Sequence, residues 1–396
     1  MPLAVYVLAL GIFTQGTSEF MLSGLLPNLA SDLGVSIPDA GLLISAFAIG
    51  MVVGAPALAI ATLSWPRRTA LVALQLVFVG AHVAGALAPG YGVLFGTRVV
   101  SALAYAGFWG VAVATAVSLV PKEMTSRAVA VVAGGLTLAT IVGVPAGTVL
   151  SQVSGWRAAF WAVAVATVVS AVGALLTVPS GRGGRVERPS ARAELRAMAR
   201  PQLWLSYAIT AFAFGAVIVT FSYLAPVLIE VSGLPTSWVP GVLALFGIGG
   251  LIGMTVGGRV GGAHPVRTIV VGGAVLVVAS ALLAVAAANP VVTITLVFAL
   301  GVAGYVTNPA LQSRVFALAP GAPTLAIAGN TSAFNVGNTL APMFGGLAIG
   351  AGFGFASVAW VGAGLGAAGV AAALVAGHLR RRSRSDQEFR IAAGRV

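Results

Sequence analysis

Nine acidic side chains are spread over 396 residues, and only Glu19 stands well inside a long apolar run. Asp32, Asp39, Glu123, Glu187, Glu194, Glu230, Asp386 and Glu388 fall in or beside polar breaks. A charge at the centre of a spanning helix costs roughly 2.5–3.5 kcal/mol on insertion scales, so such a residue usually faces a cavity or a partner. Arg98 is the cation that matches it. Counting inward from Pro27 and from Tyr91, Glu19 and Arg98 both lie roughly 10–12 Å below one surface at about 1.5 Å per residue, close enough to meet. The chemistry that suits such a pair is proton exchange. Burial opposes an ionised carboxyl and a nearby guanidinium supports it, so a conformational change that alters either one loads or releases a proton. Glu19 is read as the proton-coupling group and Arg98 as the residue that tunes it; a carboxyl that merely ties helices together is the plainer alternative.

Around this pair run stripes at helical spacing. Gln15, Glu19 and Ser23 share one face, Arg98, Ser101, Tyr105, Phe108 and Trp109 a second, and Thr331, Asn335, Asn338 and Pro342 a third. Amides and aromatic rings around one cavity suit an amphipathic, mostly neutral ligand, because pockets are largely apolar with a few placed polar groups. Gln15, Ser23, Tyr105, Phe108, Trp109, Asn335 and Asn338 are the substrate-binding candidates. Packing between helices accounts for any single one of them equally well. Gly143, Pro145 and Gly147 combine a bend with close packing, as a hinge or as a simple kink.

The elements that position these residues follow from composition. With 59% hydrophobic and 8% charged residues, the chain has too little polar material to cover a water-facing surface. A helix crosses the hydrocarbon in roughly 20 apolar residues, which leaves length for about a dozen passes. Spans are expected at 3–27, 40–63, 70–90, 92–120, 128–153, 156–178, 203–231, 237–258, 267–288, 290–318, 325–350 and 354–378. The opening run lacks a basic start and is too long for a secretory signal, so it is counted as the first helix. The net charge of +12 suggests nucleic acid only until its distribution is read. With both termini cytoplasmic, nineteen of the 21 basic residues lie on the cytoplasmic side, Arg67 and Arg68 among them. That pattern predicts a multi-pass protein of the inner (cytoplasmic) membrane, in contact with lipid and not with nucleic acid. Arg192, Arg196 and Arg200 recur every four residues in the long polar break and form a basic stripe for lipid headgroups if that segment is helical, or part of a solvated linker if it is not.

A gapless shift of 199 residues superimposes Gly16 on Gly215, Ser23 on Ser222, Pro27 on Pro226, Gly34 on Gly233, Phe47 on Phe246, Gly50 on Gly249, Gly54 on Gly253, Pro66 on Pro265 and Arg68 on Arg267. Two six-helix halves in the same orientation are the parallel-repeat plan of major facilitator transporters, which bind substrate between the halves. The expected fold is therefore an all-α membrane protein of twelve transmembrane helices in two pseudo-symmetric halves. Its expected divisions are an N-terminal half (1–178), a cytoplasmic linker (179–202), a C-terminal half (203–378) and a basic cytoplasmic tail (379–396). The same shift places Ile218 on Glu19 and Val297 on Arg98, so only the first half carries the charges.

Other chemistries find no footing. The chain has no cysteine, which excludes disulfides and thiolate metal sites. The single lysine, Lys122, lies outside any glycine-rich loop, so no Walker-type nucleotide site can be written. His82, His264 and His378 are far apart in sequence and are not read as ligands. No metal, cofactor or enzyme constellation is expected.

The stretches QGTSEFMLSGLLP (Gln15 to Pro27), GLLISAFAIGMVVGAP (Gly41 to Pro56), WPRR (Trp65 to Arg68), GVPAG (Gly143 to Gly147), GWRAAFW (Gly155 to Trp161) and AFNVGNTLAP (Ala333 to Pro342) resemble the chloramphenicol-resistance exporters of the major facilitator superfamily. The resemblance implies a monomeric drug:proton antiporter that exports chloramphenicol or a related small hydrophobic drug by alternating access, driven by proton entry. It also makes Arg67 and Arg68 the remnant of the superfamily's conformational loop, here without its aspartate. Gly143, Pro145 and Gly147 then form a variant of the antiporter motif, and Arg98 matches the helix-4 arginine associated with proton transfer. Export of a sugar or metabolite is the nearest rival, though the stripes offer few hydrogen-bonding groups for a sugar; a passive channel is more remote.

Overall fold

The computed structural model describes residues 1–62, 65–180, 200–262, 264–319 and 323–393, and helix is the only regular structure among them. The long helices in chain order are α1 (Leu3–Leu33), α2 (Ile37–Ala61), α3 (Arg67–Ala86), α4 (Tyr91–Ser118), α5 (Thr125–Ser154), α6 (Trp156–Thr177), α7 (Pro201–Ser222), α8 (Val239–Val260), α9 (Pro265–Ala286), α10 (Pro290–Leu318), α11 (Pro323–Ala348) and α12 (Ser357–Ala393). Eleven helices are long and apolar enough to cross a membrane among the described residues. The exception is α11, which has 26 residues but spends three of them on Asn330, Asn335 and Asn338. Beyond the expected last span, α12 continues as helix through the basic tail to Ala393. The linker stripe of Arg192 and Arg196 lies outside the described residues.

Prolines mark where helices start and where they bend. Pro265 and Pro290 sit at the first position of α9 and α10, where a missing N–H costs nothing. Inside α5 the ladder widens to a π-turn at Ala139–Gly143, just ahead of Pro145, which has no N–H to bond to the Ile141 carbonyl. Helix α7 is interrupted at Tyr223 and resumes over Leu224–Pro226 and Val227–Val231. Pro226 explains this break by the same loss, here of the bond to the Ser222 carbonyl. Further along, α10 yields at Thr307, two residues before Pro309.

The 199-residue shift maps contact onto contact. Helix α2 packs on α4 as α8 packs on α10, α1 packs on α5 and α6 as α7 does on α11 and α12, and α3 on α4 and α6 as α9 on α10 and α12. The mapping reaches single atoms. Gly50 leaves room for the Val99 carbonyl and Gly249 for that of Phe298, while Gly54 meets Leu103 and Gly253 meets Val302. Both Gly34 (φ 63°) and Gly233 (φ 66°) adopt the left-handed conformation after the first helix of their half, where a side chain would be strained. Small residues at these crossings let helix backbones approach to packing distance, which is what holds a bundle together where surrounding lipid is as apolar as leucine.

The halves meet along α2 with α11 and α5 with α8. With an even number of crossings, both termini lie on one side of the bundle, and the named contacts between halves cluster toward the opposite, far side. Ser45 donates to the Thr339 carbonyl at 2.8 Å, and Gln152 to that of Thr236 at 2.8 Å. Tyr223 of α7 fills the space left by Gly41 of α2 and Gly345 and Gly346 of α11, and its hydroxyl donates to the Pro342 carbonyl at 2.8 Å. The far side is closed.

Candidate functional site

Glu19 occupies the point where the halves touch. Its carboxylate reaches out of α1 and accepts a hydrogen bond from Asn338 Nδ2 of α11 at 3.3 Å. A crevice of about 10 Å³ adjoins it, lined by Glu19, Phe20 and Ser23 of α1, Ile44, Phe47 and Ala48 of α2, Ile218, Phe221 and Ser222 of α7, and Asn338. That volume holds about one water, far below the several hundred Å³ of a drug-sized pocket. Glu19 and Ile218 are repeat mates, as are Ser23 and Ser222, so the crevice straddles the pseudo-twofold axis. The scaffold is symmetric there and the charge is not. Two buried polar atoms beside it, Ser222 Oγ and Asn338 Oδ1, have no partner among the described residues.

Glu19 and Arg98, which the sequence places at one depth, do not form an ion pair. Arg98 is fully buried and donates instead to Ser18, from Nη1 to Oγ at 2.8 Å and from Nη2 to the carbonyl at 3.0 Å. Its guanidinium lies 4.3 Å from the centre of the Phe47 ring. The physical reason is helical geometry: Ser18 and Glu19 are successive residues, about 100° apart around α1 at 3.6 residues per turn, so a group docked on one is turned away from the other. The two charges remain in electrostatic range without touching.

Sequence reasoning missed the partners that hold Arg98. Ser18 Oγ is also 2.7 Å from His82 Nε2 of α3, and His82 Nδ1 is 2.9 Å from the Phe78 carbonyl. His82 is buried, stacked on Phe78 at 4.1 Å and tilted against Phe160 at 5.5 Å. An ionisable residue inside a span was itself the available signal; its isolation in sequence hid a partner 64 positions away.

The other candidates separate into those at the crevice and those packed elsewhere. Ser23 and Asn338 line it. Tyr105 and Phe108, expected to line a cavity, are buried in the core and fill the space left by Gly16 and Gly11 of α1. Trp109 packs edge-on against Tyr105 at 6.1 Å. Asn335 spends its amide on its own helix, donating to the Thr331 carbonyl at 3.0 Å. Gln15 is completely buried, and its side-chain amide has no partner among the described residues. In this closed arrangement the aromatic face of α4 is a helix-packing surface.

Gly143 and Gly147 of α5 lie against Thr17 and Met21 of α1, and a Cβ at Gly143 would overlap the Thr17 hydroxyl. Pro145 supplies the bend between them. Arg67 donates to the Ala114 carbonyl at 3.2 Å and to the Ser118 hydroxyl, at the end of α4. Arg68 reaches the Leu175 carbonyl near the end of α6 at 3.5 Å. Even without the loop aspartate, these arginines engage the partially negative ends of two helices. On the far side, Asp32 accepts from Trp156 Nε1 at 2.8 Å and pairs with Arg157, tying α1 to α6. No cluster of His, Cys, Asp and Glu suited to a metal is found among the described residues.

Comparison with known proteins agrees with this geometry. Residues 8–324 match the profile of the Major Facilitator Superfamily. The chain is 44% identical over 345 residues to a "Chloramphenicol resistance protein" of Streptomyces lividans, covering 87% of this chain and 88% of the relative. It is 37% identical to the "Inner membrane transport protein YdhP" of Escherichia coli, covering 90% and 91%. Among solved structures, a bacterial homologue of the human lysosomal transporter Spinster, in an inward-facing and occupied conformation, superimposes with a TM-score of 0.75 at 16% identity, covering 94% and 96%. The nucleoside transporter NupG does so with a TM-score of 0.75 at 13% identity, covering 94% and 99%. These two show the fold.

Proposed function

The chain belongs to the Major Facilitator Superfamily, a transporter and not an enzyme, and from that premise we propose that it exports chloramphenicol or a related small hydrophobic drug in exchange for protons, with Glu19 as the proton-binding group. The observation that carries this reading is the hydrogen bond from Asn338 to Glu19, which joins the two halves through the one carboxylate in the crevice. The 44% identity to a protein named for chloramphenicol resistance supports the substrate class.

The distribution of the basic residues supports cytoplasmic termini, and on that reading the closed far side is the outer face. Glu19 then has two environments. With the outer side shut it faces Asn338 across the interface. When α11 draws away from α1 and α2, that bond breaks, water enters, and the carboxyl exchanges its proton with the outer side. Drug and proton compete for a single space between the halves, so the passage of one requires the release of the other. Ser222 Oγ and Asn338 Oδ1, buried without partners, supply hydrogen-bonding capacity for the hydroxyl or amide groups of such a drug once the crevice widens.

Reconstitution tests this reading. In proteoliposomes with an imposed pH gradient, Glu19→Gln abolishes uphill chloramphenicol transport while chloramphenicol counterflow continues. Undiminished uphill transport by Glu19→Gln rejects Glu19 as the coupling site; wild-type flux that ignores the gradient rejects the antiporter in favour of a passive channel.

A further inference from the structure

Arg98 raises a question that the exporter reading leaves open: why a buried guanidinium stays off the carboxylate one residue away. The groups behind Ser18 give the answer. The Phe78 carbonyl can only accept, so the proton of the His82 ring lies on Nδ1. A guanidinium can only donate, so Ser18 Oγ accepts from Arg98. The serine has one hydrogen left to give, and the bare His82 Nε2 takes it. With the buried ring neutral beside the guanidinium, every direction in the chain Arg98 to Ser18 to His82 to Phe78 is set. Because the hydroxyl hydrogen is committed to the histidine, the serine lone pairs face the guanidinium, and the Ser18 carbonyl provides a second anchor.

We propose that His82 and Ser18 are positioning residues that clamp Arg98 at a set distance from Glu19, so that the carboxyl stays free to exchange its proton. This rests on the reading of Glu19 as the coupling site. Without the clamp the guanidinium is free to swing from Ser18 to the carboxylate of the next residue, with which it is already in electrostatic range. An ion pair would then hold Glu19 as the carboxylate and uncouple it. Arg98 Nε, buried and without a partner among the described residues, is the donor such a pair would satisfy. Among the described residues, the ionisable groups in electrostatic range of Glu19 are Arg98 and Tyr105 of α4 and Tyr305 of α10. From α2, α7 and α11 the crevice presents apolar side chains, Ser222 and Asn338 instead. Among the described residues, Arg98 is thus the one cation able to trap it.

The test separates coupling from structure. His82→Phe keeps the aromatic stack with Phe78 and Phe160 but removes the acceptor for Ser18. It lowers pH-driven uphill chloramphenicol transport at least about tenfold and leaves chloramphenicol counterflow unchanged. Ser18→Ala does the same, the double variant is no worse than either single one, and His82→Gln, whose Oε1 replaces Nε2 as acceptor, restores wild-type coupling. Infrared spectroscopy of the purified protein, with the Glu19 band assigned by its loss in Glu19→Gln, shows a larger carboxylate signal at fixed pH in His82→Phe and Ser18→Ala than in wild type, whether or not drug is present. Uphill transport and counterflow falling together, or an unmoved Glu19 band in Ser18→Ala should His82→Phe fail to fold, overturns the clamp. If Glu19→Gln is uncoupled while both clamp variants behave as wild type, the clamp alone falls. If Glu19→Gln keeps uphill transport, the exporter reading and the clamp fall together.

Discussion

A carboxylate at this depth is worth keeping only if something uses it, and what Glu19 touches narrows the use. Its hydrogen-bond partner, Asn338, comes from the opposite half of the molecule, so on the alternating-access reading the bond is lost when the halves part on the far side. A hydrogen bond to a charged group contributes about 1.5–3 kcal/mol, although bonds between membrane helices average less. Asn338→Ala therefore lowers uphill chloramphenicol transport by about tenfold in the proteoliposome assay, with the protein still folded. A loss below twofold would make Asn338 a bystander. Arg98 docks through two nitrogens on two oxygens of one residue. A lysine offers a single nitrogen and no fork, so Arg98→Lys does not preserve the arrangement.

Among the elements, the glycine crossings bear the packing. Gly54 against Leu103 and Gly253 against Val302 are the same crossing in the two halves, and each leaves no room for a side chain beside the facing backbone. Gly54→Val and Gly253→Val each destabilise the bundle by about 1–3 kcal/mol through overpacking, and thermal unfolding in detergent shows drops of similar size for the two. A drop in only one of them would mean that the halves do not share this contact energetically. Arginines likewise close equivalent helix ends. Arg67 bonds to the end of α4, and Arg200 donates to the Leu318 carbonyl at the end of its repeat mate α10 at 2.8 Å. Both place a cation where the helix dipole is negative.

For the whole molecule, the proposed function requires shape and charge to act together as a vectorial device. The contacts of Tyr223, Ser45 and Gln152 shut the far side, which is the outer face on the reading proposed from the basic residues. A sensitive host carrying this gene becomes resistant to chloramphenicol, and a protonophore removes the resistance; unchanged sensitivity despite good expression shifts the reading to export of a metabolite. The natural absence of cysteine provides a clean background for following the closure. Ser222→Cys, in the crevice, is labelled by a membrane-impermeant maleimide from outside only when the far side opens. Gly41→Val, whose side chain would overlap the Tyr223 hydroxyl, increases that labelling severalfold. Equal labelling with and without Gly41→Val contradicts the assignment of Tyr223 to the outer closure.

Twelve long helices, their duplication and the placement of Glu19 inside a span could be read from the linear chain, because each is written in local composition or in a fixed offset. An apolar run of about 20 residues has one low-energy destination, and a repeat of 199 positions needs no coordinates to be seen. The asymmetry of charge between the halves was equally visible, since Ile218 and Val297 stand where Glu19 and Arg98 would recur. Only the tertiary structure decided which neighbours each charge chose. Depth along a helix placed Glu19 and Arg98 at one level, but direction around the helix sent Arg98 to Ser18 and Glu19 to Asn338. His82 entered through a hydrogen bond from another helix that no spacing encodes. The aromatic face of α4 likewise reads as cavity or as core until Gly11 and Gly16 of α1 are seen to receive it. Hydrophobicity determines that a helix is buried in the membrane; which of its faces meets a partner depends on angles between helices, and those arise only when all of them pack at once.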